Sequence, residues 1–167
     1  ELSSVTFSEN VSHIGSRAFD DCPKLRFNQY ENGLYLGSPS NPFHAFIKPI
    51  SNDIEEITLN NDTKVIASEA FKGCTSLISI DVPNNVLHMG EGAFEGCKSL
   101  YKITGCNGIN IIQSYTFKEC TSLKIFEIPE AVKEIKSKAF EFCRSIEKIT
   151  IPKGIRNIYP ETFSFCS

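Results

Sequence analysis

The sequence lacks several features that mark common functional classes. It contains no run of about 18 apolar residues, so no transmembrane helix is predicted. It has no Cys-x-x-Cys pair with a nearby histidine, which argues against a zinc site, and no glycine-rich phosphate-binding loop. The net charge of the 167-residue chain is only −3, which does not favour nucleic acid or an anionic membrane as a partner.

A repeat with a fixed period organises what is present. The pattern Ala/Thr-Phe-x-x-Cys recurs every 23 residues without slippage, and a further copy lies at Phe19 and Cys22, 52 residues before the first of the regular series. The regular copies are Phe71/Cys74, Phe94/Cys97, Phe117/Cys120, Phe140/Cys143 and Phe163/Cys166. A period of roughly 20 to 50 residues is typical of a solenoid, in which each coil contacts only its neighbours.

Each repeat also predicts its own local structure. Repeat positions are counted from the Leu or Ile at the start of each repeat. Apolar residues at positions 4 and 6 alternate as in a strand with one buried face. Proline at position 7 ends this strand in three repeats. Apolar residues at positions 10 and 13 predict a second short extended segment. Serine at position 15, as in Ser68 and Ser114, then predicts the N-cap of a single helical turn that carries the phenylalanine inward.

Seven cysteines could indicate disulfide bonds, but their spacing in the sequence argues against them. Six of them share one repeat position, so their side chains stack in parallel about 4.8 Å apart, which is poor disulfide geometry. We therefore expect buried, reduced thiols that pack as small apolar groups. Cys106 lies outside this series and is the expected exception.

The second repeat departs from the pattern. It is 29 residues long, lacks Ala-Phe-x-x-Cys, and contains Asn32-Gly33 between apolar runs, which is a strong hairpin signal. We predict two or three short antiparallel strands within residues 30–49, in place of the helical turn. The hairpin either plugs the coil interior or serves as a recognition element with an open sheet edge, and its candidate ligand-binding residues are Tyr35, Phe43 and His44.

The consensus Leu-x-x-Ile-x-Ile-Pro-x-x-Val-x-x-Ile-x-x-x-Ala-Phe-x-x-Cys resembles the repeat of the BspA-like leucine-rich-repeat family. The resemblance implies an α/β solenoid: a right-handed superhelix with parallel strands on the concave face, short helical turns on the convex face, and here one β-hairpin insertion. About seven coils form one domain over residues 1–167, and the chain is expected to be a fragment of a longer protein because it lacks capping repeats. The expected coils span 2–24, 25–53, 54–76, 77–99, 100–122, 123–145 and 146–167.

The resemblance also implies a location and a role. Members of the family are cell-surface or secreted proteins, with adhesion proposed for some, and they bring no catalytic residues, cofactor or metal. We therefore expect a non-enzymatic module that binds a protein or glycan at a host surface or matrix, without nucleic acid or membrane insertion. The alternative is an accessory or spacer region of a protein whose catalytic domain lies outside this chain.

The outward strand face supplies the second set of candidate ligand-binding residues. Tyr101, Lys102 and Lys124 are expected to be neighbours on this face, flanked by Ile78 and by Ile125, and exposed aromatic and aliphatic side chains beside charges are plausible interface anchors. The competing interpretation is an ordinary sheet face with residues paired across strands. No catalytic set is evident, since His13 and His88, at one repeat position three coils apart, are expected to lie roughly 15 Å apart by strand spacing.

Overall fold

The structure, a computed structural model, describes residues 1–167 as a stack of coils with nine short strands and no helix. The strands are β1 (Asn28–Tyr30), β2 (Gly33–Leu36), β3 (Ala45–Pro49), β4 (Val65–Ile66), β5 (Ser79–Val82), β6 (His88–Met89), β7 (Lys102–Gly105), β8 (Ile111–Ile112) and β9 (Glu134–Ile135). They form a five-stranded sheet in the order β1-β2-β3-β4-β6 and two parallel pairs, β5-β7 and β8-β9. The chain has no helix of the length and apolarity needed to cross a bilayer.

The two strand segments predicted for each repeat are confirmed where the ladders are regular. In β5 and β7, Ile80 and Ile103 face each other in register and are buried, as alternation predicts. The second extended segment appears as β4, β6, β8 and β9, and its buried members include Ile66 and Ile112. Neighbouring coils therefore pair in parallel along two lines, one on each side of the core.

The prediction of two or three antiparallel strands in the second coil is confirmed. β1 pairs with β2, and β2 pairs with β3, both antiparallel. β3 then pairs in parallel with β4, which joins the hairpin to the regular ladder. The hairpin is therefore an integral part of the sheet.

A continuous column of stacked phenylalanine rings forms the centre of the core. Ring centroids lie 4.8 Å apart between Phe71 and Phe94 and 5.7 Å apart between Phe94 and Phe117, and all three side chains are fully buried. Phe46 of β3 continues the column at 4.6 Å from Phe71, although the second coil lacks the repeated phenylalanine. The hairpin thus supplies from another position the ring that its repeat omits.

The predicted helical turn is wrong. Two residues per coil, such as Glu69 (φ 58°) and Gly73 (φ 74°), adopt left-handed backbone conformations, which break the chain into successive tight turns. The N–H groups of Glu69, Phe71 and Gly73 consequently point to the next coil and donate to backbone carbonyls there at 2.8–2.9 Å.

A single helical turn would leave such N–H groups without partners, whereas the tight turns satisfy them between coils. The serine cap predicted at position 15 is absent as well. The Ser68 hydroxyl is buried and has no hydrogen-bond partner, so it caps nothing.

Candidate functional site

The outward face of β5, β7 and the following coil carries an exposed apolar row. Ile78, Tyr101 and Ile125 are 47%, 43% and 41% exposed, respectively. Together with the exposed Lys102 and Lys124 they form what we call the strand-side patch. All five residues predicted on this face, Ile78 included, are exposed in the structure.

The backbone beneath the strand-side patch is held by hydrogen bonds between coils. Tyr101 N donates to the carbonyl of Ile78 at 2.8 Å, and the carbonyl of Tyr101 accepts from Lys124 N at 3.0 Å and Ile125 N at 3.1 Å. Lys102 and Ile125 form a parallel bridge. The side chains therefore project from a fixed framework, which lowers the entropic cost of ordering them in a complex.

The charges of the strand-side patch differ in their partners. The Lys124 ammonium lies 3.0 Å from a carboxylate oxygen of Glu147, and this hydrogen bond raises the pKa of Lys124. Lys102 forms no ion pair in the structure. Beside it, Thr104 donates a hydrogen bond of 2.6 Å to Asp81. The patch therefore offers one unpaired cation next to its apolar row.

A shallow groove of about 510 Å³ adjoins the strand-side patch between β7 and the next coil. Lys102, Thr104, Ile125 and Glu127 line it. Gly105, at the end of β7, has φ 76°, and a Cβ at this position would come within 1.9 Å of the Val82 carbonyl oxygen in the preceding coil. Only glycine fits at this position, so β7 keeps its close pairing with β5 up to its last residue.

The hairpin residues predicted to bind ligand lie mainly in the core, which corrects the recognition hypothesis. Tyr35 is completely buried, and its hydroxyl accepts a hydrogen bond from Asn60 N at 3.2 Å. His44 is buried beneath the first coil, with its Nε2 2.8 Å from the Val11 carbonyl oxygen. Neither side chain is accessible to a ligand in this fold.

The third hairpin candidate, Phe43, is half-buried. Its ring makes edge contacts with Tyr30 at 5.8 Å and Tyr35 at 5.5 Å between centroids. Burial also raises the pKa of Tyr35 to about 12. The aromatic residues of the hairpin therefore plug the coil, the other interpretation that the sequence left open.

The expectation that Cys106 differs from the other cysteines also needs correction. Cys106 is fully buried like the other inner cysteines, and burial raises its pKa to about 12. The cysteines with partial exposure are Cys22 and Cys166, in the first and last coils.

His13 and His88 both line one cleft of about 240 Å³. The second coil lacks its turn segment, so the Ile14 carbonyl accepts directly from Ser68 N in the third coil at 2.9 Å. The chain contains no group of three or more His, Cys, Asp or Glu side chains placed to hold a metal ion. No Asp, Glu or Cys lines this cleft, and the strand-side patch remains the candidate functional site.

A family model of BspA type leucine-rich repeat regions matches residues 1–37 and 43–167 in six copies. Among solved structures, the chain is similar to a leucine-rich cell surface protein from Faecalibacterium prausnitzii A2-165, with 30% identity and a TM-score of 0.79. That alignment covers 99% of this chain and 46% of the other, so the chain spans about half the length of that protein.

Two further structures share the fold at lower identity. The leucine-rich repeat protein of T. pallidum has 24% identity and a TM-score of 0.65, covering 84% of this chain and 78% of the other. The pneumococcal vaccine antigen PcpA has 20% identity and a TM-score of 0.70, covering 92% and 40%. None of the curated proteins matches this sequence.

Proposed function

The chain belongs to the BspA-type leucine-rich-repeat family, and we propose that it is a non-enzymatic adhesion module whose strand-side patch binds the ligand. The ligand is a protein or a glycan at a host surface or in the surrounding matrix. The location we propose is the cell surface or the secreted fraction, and the F. prausnitzii relative, described as a cell surface protein, supports it.

The exposed row of Ile78, Tyr101 and Ile125 is the observation that carries this proposal. Single exposed apolar residues are ordinary on a protein surface, but here three lie on successive coils that are joined by hydrogen bonds. Tyrosine is enriched among the residues that dominate binding energy, because it buries a large area while its hydroxyl keeps a polar contact. Lys102 adds a charge that can select the partner.

Binding of the domain to a panel of purified matrix proteins and immobilised glycans tests the proposal. The variant with Ile78→Ser and Tyr101→Ser should bind at least about tenfold more weakly, because interface anchors contribute about 2 kcal/mol or more. Its melting temperature should stay within a few degrees of wild type, since both side chains are exposed.

Leu87→Ser is the matched control, because Leu87 is 47% exposed but lies outside the strand-side patch. It should leave binding unchanged. Equal binding by the patch variant and wild type, or equal losses in the patch and control variants, would contradict the proposal. A domain that binds nothing in the panel would favour the spacer role.

A further inference from the structure

Where charged residues occupy the same position in two adjacent coils of this protein, their charges are usually of opposite sign. Five ion pairs join residues 23 positions apart, at the same place in neighbouring coils: Glu1–Lys24, Lys72–Glu95, Lys118–Glu141, Lys124–Glu147 and Lys138–Glu161. Two more opposite-sign combinations, Glu95–Lys118 and Glu130–Lys153, have this spacing without reaching ion-pair distance. Like charges directly opposite each other destabilise paired strands, so alternation of sign favours stacking.

Lys133 and Arg156 break this rule. They are the one pair of like-charged residues at a separation of 23, and neither forms an ion pair. Lys153 lies beside them and is also without an ion pair. The carboxylate that lines the same cleft, that of Glu134, forms an ion pair with Lys136. Three positive charges therefore line one cleft without forming an ion pair, on a chain whose net charge is −3.

These cations line one open cleft between the last two coils. The cleft has a volume of about 500 Å³ and a lining without any hydrophobic residue: Lys133, Glu134, Lys153, Gly154, Arg156 and Asn157. An ideal Cβ at Gly154 would lie 2.9 Å from the Lys133 ammonium nitrogen. A side chain at this position would displace the ammonium, so glycine leaves room for Lys133 to reach across to the next coil.

We propose that this cationic cleft binds an acidic saccharide, a sugar chain that carries sulfate or carboxylate groups. The Arg156 guanidinium can hold such a group through two parallel hydrogen bonds, and the two ammonium groups add positive charge. The Asn157 amide and the Glu134 carboxylate match the hydroxyl groups of a sugar. The lining offers no apolar pocket for the side chains by which peptides anchor themselves.

The proposal does not depend on the strand-side patch. The cationic cleft lies between coils at residues 133–134 and 153–157, whereas the patch lies at residues 78–125. A variant of one surface should therefore leave binding at the other unchanged. This separation lets each proposal fail without affecting the other.

Isothermal titration of the 167-residue domain with a heparin-derived hexasaccharide at 50 and 150 mM NaCl tests the cleft. Wild type should bind, with an affinity that falls as salt rises, because the contact releases counterions from the polyanion. The double variant Lys133→Gln with Arg156→Gln should bind at least tenfold more weakly. A hyaluronan hexasaccharide carries carboxylates without sulfates. Comparison of its affinity with that of the heparin-derived hexasaccharide shows which of the two acidic groups the cleft recognises.

Lys64→Gln with Lys98→Gln is the control with the same change in charge. Lys64 occupies the repeat position of Lys133 in an earlier coil but faces Leu87, and neither control lysine forms an ion pair. This control should keep wild-type affinity.

In addition, Lys133→Gln should raise the melting temperature at low salt, since it removes one of two like charges at the same position in adjacent coils. This gain should shrink at high salt.

Absence of binding to both saccharides in wild type would overturn the proposal, as would equal losses in the cleft and control variants. Tighter binding to phosphatidylserine vesicles would assign the cleft to a lipid surface instead. Tighter binding to a polyglutamate peptide would assign it to an acidic protein segment. A melting temperature lowered by Lys133→Gln would show that its charge is compensated in the fold.

Discussion

At the residue scale, the repeated cysteine acts as a hydrogen-bond donor between coils. Cys97, Cys120 and Cys143 each donate from Sγ to the carbonyl oxygen of the phenylalanine 26 residues earlier, at 3.0–3.1 Å. Cys74 has no such phenylalanine in the preceding coil and points to the side-chain oxygen of Asn52 at 3.8 Å. This repeat position therefore requires a small apolar side chain that can also donate a hydrogen bond, and the thiol of cysteine meets both requirements.

We predict that a thiol reagent labels at most two cysteines, Cys22 and Cys166, in the folded protein and all seven after unfolding. Burial raises the pKa of Cys74 to about 11, so its thiol stays protonated at pH 8 to 10, where an exposed thiol becomes reactive. Mass spectrometry of the labelled chain gives the sites. Rapid labelling of Cys106 without denaturant, or an intact mass showing disulfides, would contradict the prediction.

At the element scale, the hairpin β1–β3 replaces a missing segment of the core. Phe46 continues the phenylalanine column, and Tyr35 fills the space beside it with ring centroids 5.3 Å apart. The Tyr35 hydroxyl also satisfies the N–H of Asn60. A binding role for these buried residues is not compatible with their stabilising contacts.

Tyr35→Phe should therefore destabilise the domain by about 1 kcal/mol, because the half-buried N–H of Asn60 loses its acceptor. Denaturant unfolding followed by circular dichroism measures the change. Tyr30→Phe is the control within the same hairpin, since the Tyr30 hydroxyl makes no hydrogen bond in the structure, and it should stay within about 0.5 kcal/mol of wild type. Equal stabilities of the two variants would show that the Asn60 contact contributes little.

At the scale of the whole molecule, stability depends on contacts between successive coils. Phe94 lies between Phe71 and Phe117 in the column, so truncation opens a cavity shared by three coils. Hydrogen bonds between the turn segments connect the same coils, for example Phe71 N to the carbonyl of Ala93 at 2.8 Å. Loss of one ring should therefore loosen its neighbours as well.

Phe94→Ala should lower the free energy of unfolding by about 3 to 5 kcal/mol. Hydrogen exchange should become faster in residues 54–122, which include both adjacent coils, and less so near the ends of the chain. Tyr101→Ser, a large truncation at a 43% exposed position, is the control and should change neither quantity appreciably. An unchanged melting temperature in Phe94→Ala would refute the central role of the column.

The sequence by itself determined the repeat, its buried positions and the residues of the strand-side patch. A period of 23 records which side chains occupy the same place in each coil, and stacking then requires the recurring Phe94 and Cys97 positions to be interior. The same comparison of coils placed Tyr101 and Lys124 outside, because their repeat position varies between polar, charged and apolar residues from coil to coil. Hence the family, the core and the outward face were all predictable.

Only the tertiary structure decided the turn segments and everything that depends on the second coil. Left-handed residues such as Glu69 are favoured because they direct N–H groups to carbonyls of the next coil, a gain that no single repeat reveals. The second coil has no periodic pattern, so its packing could not be deduced by analogy with the others. Its missing turn segment buries Tyr35 and His44 and brings His13 and His88 to one cleft, because long-range contacts replace the repeat there.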